Sequence, residues 1–140
     1  MSEAYASTAE IDAILTAFNS AEIPPEAFDH RRHLTVAADI VHACADFAIA
    51  LTTIRAGILR YNAARGVATT EAAGYHETVT RFWTRKLVDL LRDGEDRLAF
   101  VNRALAELGD GGLVFTHYDR DTLMSPAARA AFVAPDRRPL

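Results

Sequence analysis

Apolar residues recur along this chain at spacings of three and four, which is the period of an amphipathic α-helix. One stripe contains Leu34, Ala37 and Val41, and another runs from Phe47 to Tyr61 at alternating spacings of four and three. No alternation of apolar and polar residues persists long enough to predict a strand. The pattern therefore predicts an all-α protein.

Capping residues mark where these helices should begin and end. Ser7 followed by Glu10 predicts a capping box for the first helix. Asp29 and Asp46 are the predicted N-caps of the second and third helices, and Gly66 is the predicted stop of the third. Further helices are predicted from about Gly74 to Arg92, from Leu98 to Leu108, and from Ser125-Pro126 to Phe132.

The length of the chain favours one domain. Its 140 residues are half apolar and a quarter charged, as in an ordinary globular domain with a single core. Short connections between the predicted helices favour an antiparallel bundle of four main helices plus short terminal helices. We predict a single helical domain over residues 1–140, with residues 1–6 and 134–140 as extended or disordered tails.

Composition argues against several classes of function. The net charge is −4 and the arginines are scattered among acidic residues, which does not suit a nucleic-acid surface. No apolar run approaches the roughly 20 residues of a membrane span, and the N-terminus lacks the features of a signal peptide. We therefore expect a cytoplasmic protein. Motifs for nucleotide binding, dithiol chemistry and serine hydrolysis are also missing.

Three of the five histidines lie on apolar stripes. His30 and His33 form an H-x-x-H pair where the second helix should begin, and His76 opens the fourth helix just before Glu77. On a wheel of about 100° per residue, these three imidazoles point in the same directions as the apolar residues of their helices. This arrangement predicts a buried polar site in the bundle.

A metal site is the leading hypothesis for this cluster. Pairs of ligands at i and i+3 on one helix are typical of metal-binding bundles, and imidazoles with a carboxylate suit zinc or non-haem iron. In this hypothesis His30, His33 and His76 hold a divalent metal, Glu77 is a fourth ligand or a general base, and Tyr75 orients the substrate. The protein would be a small enzyme that acts on a small organic molecule in a pocket, such as a metal-dependent hydrolase, lyase or oxygenase.

Two alternatives stay open. In a metal-free enzyme, His76 and Glu77 would act as an acid–base pair in a lyase, isomerase or cyclase reaction. In a non-catalytic binding or assembly module, the polar core would only specify the fold. Arg81, one turn after Glu77, could pair with that carboxylate and give it a structural role. His117 follows a glycine-rich turn and is a further candidate ligand or proton donor.

The expected partners depend on these hypotheses. We expect a small-molecule substrate and neither nucleic acid nor membrane, and a homodimer is an open alternative to a monomer. The single cysteine, Cys44, cannot form an internal disulfide and is expected to pack as a small buried residue.

Two motifs resemble those of a family of small uncharacterised bacterial helical proteins. The first is His30-Arg31-Arg32-His33-Leu34, and the second is Gly74-Tyr75-His76-Glu77-Thr78-Val79-Thr80. They match an H-x-x-H-L … G-Y-H-E-T-x-T pattern, and the similarity extends over roughly residues 10–136. Phe28-Asp29 stands where the family has an aromatic residue followed by threonine, which affects only the helix cap. The resemblance implies that the histidines and Glu77 matter, and it implies no particular reaction.

Overall fold

The computed structural model describes residues 3–140, and helices are the regular structure within them. The prediction of an all-α bundle is confirmed. Five helices have twelve residues or more: α1 (Thr8–Asn19), α2 (His30–Cys44), α3 (Phe47–Arg65), α4 (Glu77–Leu90) and α5 (Arg97–Leu108). Three short helices come after them: α6 (Val114–His117), α7 (Arg120–Leu123) and α8 (Pro126–Ala130). Single 3₁₀ turns occupy Pro25–Ala27 and Gly111–Leu113.

The predicted caps position the first three helices. Asp29 and Asp46 each accept a hydrogen bond from the backbone N–H three residues further on, at 3.0 and 2.9 Å. The Glu10 carboxylate accepts from the backbone N–H of Ser7 at 3.3 Å. Gly66 ends α3 with φ +70°, a left-handed conformation that glycine adopts at little cost. Local sequence therefore determines where these helices begin and end.

Helix α4 is shorter than predicted. It runs from Glu77 to Leu90, whereas the expected bounds were about Gly74 to Arg92. Gly74 has φ +88°, which a helix cannot contain, and His76 is the N-cap of α4 and lies outside its first turn. The last helix, α8, likewise ends at residue 130 instead of residue 132.

Helix α2 lies at the centre of the bundle. It packs against α1, α3, α4 and α5, and α3 also packs against α4. The most deeply buried large side chains of the central core, each at most 2% exposed, are those of Ile11, Leu34, Val41, Leu87, Phe100 and Val101. The mutual packing of α2, α3 and α4 leaves a space between these three helices, and the candidate site lies there. None of the helices described is long and apolar enough to cross a membrane.

Both ends of the described chain are held against the bundle. The backbone N–H of Tyr5 donates to Asn102 Oδ1 at 2.7 Å. Residues 134–140 are not helical, and Asp136 accepts a hydrogen bond from the backbone N–H of Asp119 at 2.8 Å. The tail predicted at 134–140 is therefore packed along the short C-terminal helices. Of the predicted N-terminal tail, residues 1 and 2 lie outside the described part.

Candidate functional site

A cavity of about 360 Å³ lies between α2, α3 and α4. His30, His33, Tyr75 and His76 line this cavity, whereas Glu77 does not. The packing thus places three histidines from distant parts of the sequence around one space. The rest of the wall is mainly aromatic and aliphatic, and includes Phe28, Leu34, Ile54, Ile58, Tyr61, Val79 and Trp83.

His30 is fixed at the first turn of α2. Its Nε2 lies 3.0 Å from the carbonyl oxygen of Leu108. Because a carbonyl oxygen only accepts, Nε2 is the donor in this contact. The ring also packs against Trp83, with centroids 4.7 Å apart. His30 is therefore held by α4 and α5 together.

His33 is the cavity histidine whose ring nitrogens are uncommitted. The ring stacks on Phe28, with centroids 3.6 Å apart and planes 15° apart. Within residues 3–140 neither nitrogen has a hydrogen-bond partner. The side chain is exposed, and it also forms part of the cavity wall. Desolvation by the surrounding protein, aided by the nearby His30, lowers the pKa of His33 to about 4. The imidazole is therefore neutral near pH 7.

His76 is fully engaged by the backbone. Its Nδ1 accepts from the N–H of Val79 at 3.2 Å, which caps α4, and its Nε2 lies 2.7 Å from the carbonyl oxygen of Leu123. The Nε2–H tautomer is the one that satisfies both contacts. Burial lowers the pKa of His76, so this ring is also neutral near pH 7. The helical wheel predicted His76 on the stripe of α4, whereas the structure places it before the helix.

Glu77 belongs to an ion pair beside the cavity. Arg55 of α3 donates from Nε to Oε1 at 2.9 Å and from Nη2 to Oε2 at 2.6 Å. The hydroxyl of Tyr75 donates to Oε1 at 2.7 Å. The hydrogen bonds from Arg55 hold the pKa of Glu77 below its usual value. Burial raises the pKa of Tyr75 to about 12.

The proposed pairing of Glu77 with Arg81 is wrong. The Arg81 guanidinium lies over the ring of Phe132, 4.4 Å from its centroid. Arg55 on the facing helix α3 binds both oxygens of the carboxylate instead. Such a two-point contact between guanidinium and carboxylate is stronger than a single hydrogen bond. The correct partner is 22 positions away in the sequence and carries no local signal.

His117 lies apart from the cavity. It is buried in α6, its Nδ1 lies 2.8 Å from the carbonyl oxygen of Arg138, and its ring packs near Phe82 with centroids 5.3 Å apart. The residues that sequence reasoning missed are instead the stacking partner Phe28 and the wall residues Asn62 and Trp83. Asn62 follows Tyr61 at the end of α3, and only the fold shows that this end faces His33.

The four proposed ligands do not fit a metal site as they are arranged. Among the described residues, no group of three or more His, Cys, Asp or Glu side chains is placed to hold a metal ion. Both nitrogens of His76 and both oxygens of Glu77 already have partners within the protein. Coordination would require breaking the cap of α4 and the ion pair with Arg55.

Comparison of the chain with protein-family models, with curated proteins and with solved structures finds no match. The resemblance to the H-x-x-H-L … G-Y-H-E-T-x-T family stays a prediction.

Proposed function

We propose that the cavity binds a small, uncharged and largely apolar organic molecule, and that His33 is its polar anchor. The observation that carries this proposal is the neutral imidazole of His33, which faces the cavity with both nitrogens uncommitted. Each of these nitrogens can donate or accept a hydrogen bond. A ligand hydroxyl, amide or carbonyl would supply the partner.

The walls support an uncharged ligand. The residues that line the cavity include no Asp, Glu, Lys or Arg. An ionic group brought into such an apolar space would lose its hydration without gaining a countercharge, which costs several kcal/mol. A neutral molecule avoids this penalty.

The size and shape of the wall support a compact ring-containing molecule. A volume of about 360 Å³ is near the lower end of ligand pockets, which span roughly 300–1,000 Å³. Phe28, Tyr61, Tyr75 and Trp83 contribute ring surfaces to the wall. Aromatic and alicyclic alcohols or amides would bury their rings against these surfaces while one polar group reaches His33.

A matched set of probes tests the charge rule. Benzyl alcohol, benzoate and benzylamine share one ring and differ mainly in charge at pH 7. Ligand-observed saturation-transfer NMR should detect binding of benzyl alcohol and related neutral compounds. Benzoate and benzylamine should give little or no transfer. Equal binding of all three, or binding confined to a charged probe, would overturn the proposal.

Three variants test the location. His33→Leu removes the anchor and should weaken binding of the neutral probe at least tenfold. Ala37→Leu fills part of the cavity one turn further along α2 and should have a similar effect. His42→Leu is the matched control, because this imidazole bonds to the carbonyl of Glu95 and does not line the cavity. Loss of binding in the control alone would place the ligand elsewhere.

Proton transfer at His33 is a second candidate function. A neutral imidazole with a free nitrogen can take a proton from a bound hydroxyl or acidic C–H group. Of the residues proposed for acid–base work, His76 and Glu77 are held in hydrogen bonds, which favours His33 as the base. His33→Asn separates the two functions, because it keeps hydrogen-bonding groups and removes the base. Retained binding with lost turnover would support catalysis.

A further inference from the structure

Helix α3 presents a face of mixed apolar and polar residues to solvent, opposite the face that it buries. This face, called here the α3 face, consists of Ile49, Thr52, Thr53, Ala56, Leu59, Arg60 and Ala63, all of which are exposed. Ile49 and Leu59 expose 57% and 42% of their surfaces. Ala56 lies at the centre of the stripe at helical spacing. Arg60 is the one charged residue on this face.

An open groove of about 720 Å³ runs between the α3 face and α1. The two helices run in the same direction here, since Phe18 lies beside Gly57 and Asn19 Oδ1 accepts from Arg60 Nη2 at 3.3 Å. Asp12 lies seven residues before Asn19, which is about 10 Å along the helix. It therefore lines the other end of the groove.

Arg60 lines one end of the groove, and the other end carries the two carboxylates of Asp12 and Asp39 with Arg97 between them, which leaves a net negative charge there. Arg60 is exposed, and its hydrogen bond to Asn19 is to an uncharged group. The Asp12 side chain is 61% exposed and shares Arg97 with Asp39. A partner that fits both ends must itself carry a basic and an acidic group in the reverse order. An antiparallel second copy of the same groove meets this requirement.

We propose that the α3 face pairs with the same face of a second copy, antiparallel, about a two-fold axis at Ala56. In such an isologous contact each pairing occurs twice. Ile49 lies opposite the other copy's Ala63, and the small Ala56 side chains let the helices approach closely. Arg60 lies opposite Thr53 of the other copy, on the side where Asp12 of that copy lines the groove.

Charge complementarity favours this occupant over an unrelated chain. A uniformly acidic peptide would match only the Arg60 end, and a uniformly basic one only the Asp12 end. Two copies with a net charge of −4 each also need local attraction to associate. The two symmetric Arg60–Asp12 approaches provide it. One helix face with its flank is a small interface, so the dimer is expected to be reversible and weak.

Sedimentation velocity from low-micromolar to near-millimolar concentration tests the pairing. The wild type should shift reversibly from monomer to dimer. Ala56→Arg places two like charges at the axis and should leave a folded monomer throughout the range. Ala43→Arg is the control, since Ala43 is an exposed alanine of α2 that lies outside the groove. A wild type that stays monomeric, or a dimer that survives Ala56→Arg, overturns the proposal.

Substitutions at Thr53 test the register. This exposed residue should face Arg60 of the other copy, so Thr53→Glu should tighten the dimer several-fold and Thr53→Arg should weaken it several-fold. Far-ultraviolet circular dichroism verifies that both variants keep their helices. If both variants change the dimer dissociation constant in the same direction, or if neither changes it, the antiparallel register is overturned.

Discussion

Glu77 is held by Arg55 across the bundle, through two hydrogen bonds of 2.9 and 2.6 Å. The pair joins the start of α4 to the middle of α3, and the Tyr75 hydroxyl adds a third hydrogen bond to the same carboxylate. Tyr75 in turn forms part of the cavity wall. The carboxylate therefore links α4 to α3 and, through Tyr75, to the cavity wall.

Removing this pair should destabilise the protein. Glu77→Gln and Arg55→Ala are each expected to lower the free energy of unfolding by about 1–2 kcal/mol, because the carboxylate is largely buried while Arg55 is partly screened by solvent. Arg81→Ala is the comparison variant, because it removes a cation–π contact with Phe132 and leaves the pair of Glu77 and Arg55 in place, and it should cost about 0.5–1 kcal/mol. Urea denaturation measures all three. A Glu77→Gln variant as stable as the wild type would instead match a free catalytic carboxylate.

The tautomer of His76 provides a direct test of its capping role. Because Nδ1 accepts from Val79 and Nε2 lies against the Leu123 carbonyl, the proton should reside on Nε2. Long-range ¹H–¹⁵N NMR distinguishes the two ring nitrogens. The Nε2–H tautomer should persist after one equivalent of Zn²⁺ is added to untagged protein. A zinc-dependent change of the His76 nitrogen shifts would instead support the metal hypothesis.

Gly74 and Gly66 should respond differently to alanine. Both have positive φ, but a Cβ at Gly74 would lie 2.5 Å from the carbonyl oxygen of Ala68, whereas a Cβ at Gly66 would meet nothing within 4 Å. Gly66→Ala should therefore cost only the left-handed backbone penalty of about 1–2 kcal/mol. Gly74→Ala should cost at least about 1 kcal/mol more. Equal losses in thermal unfolding would show that the 67–74 loop yields without strain.

The low pKa of His33 predicts a specific dependence of stability on pH. The folded state lowers this pKa from 6.5 to about 4, so the unfolded chain takes up the proton first. The stability that depends on a neutral His33 is therefore fully present above about pH 6.5, and it is lost as the pH falls towards 4. His33→Asn should make the free energy of unfolding fall less steeply across this window. An unchanged slope would mean that the imidazole is solvated like a surface histidine.

Local sequence determined the helices and the caps at which several of them begin or end. Caps such as Asp29 and Asp46 act within one helical turn, and the left-handed glycine at 66 acts on its own backbone, so their effects are visible without a fold. The placement of His30 and His33 on the inner side of α2 is likewise a consequence of periodicity. These features need no knowledge of which helices are neighbours.

Tertiary packing decided what each polar side chain does. Arg55 lies 22 positions from Glu77 and Leu123 lies 47 positions from His76, and no local sequence pattern identifies either partner. Only the packing of α2, α3 and α4 creates the cavity. The hydrogen-bond partners around the cavity then determine which histidine nitrogens stay free. The histidine stripes of α2 therefore predicted that His30 and His33 line a space inside the bundle. In the folded protein, His76 and Glu77 form hydrogen bonds, whereas His33 has no partner. Hydrogen bonds depend on distances in space and not on distances along the chain, so the sequence could not predict this difference.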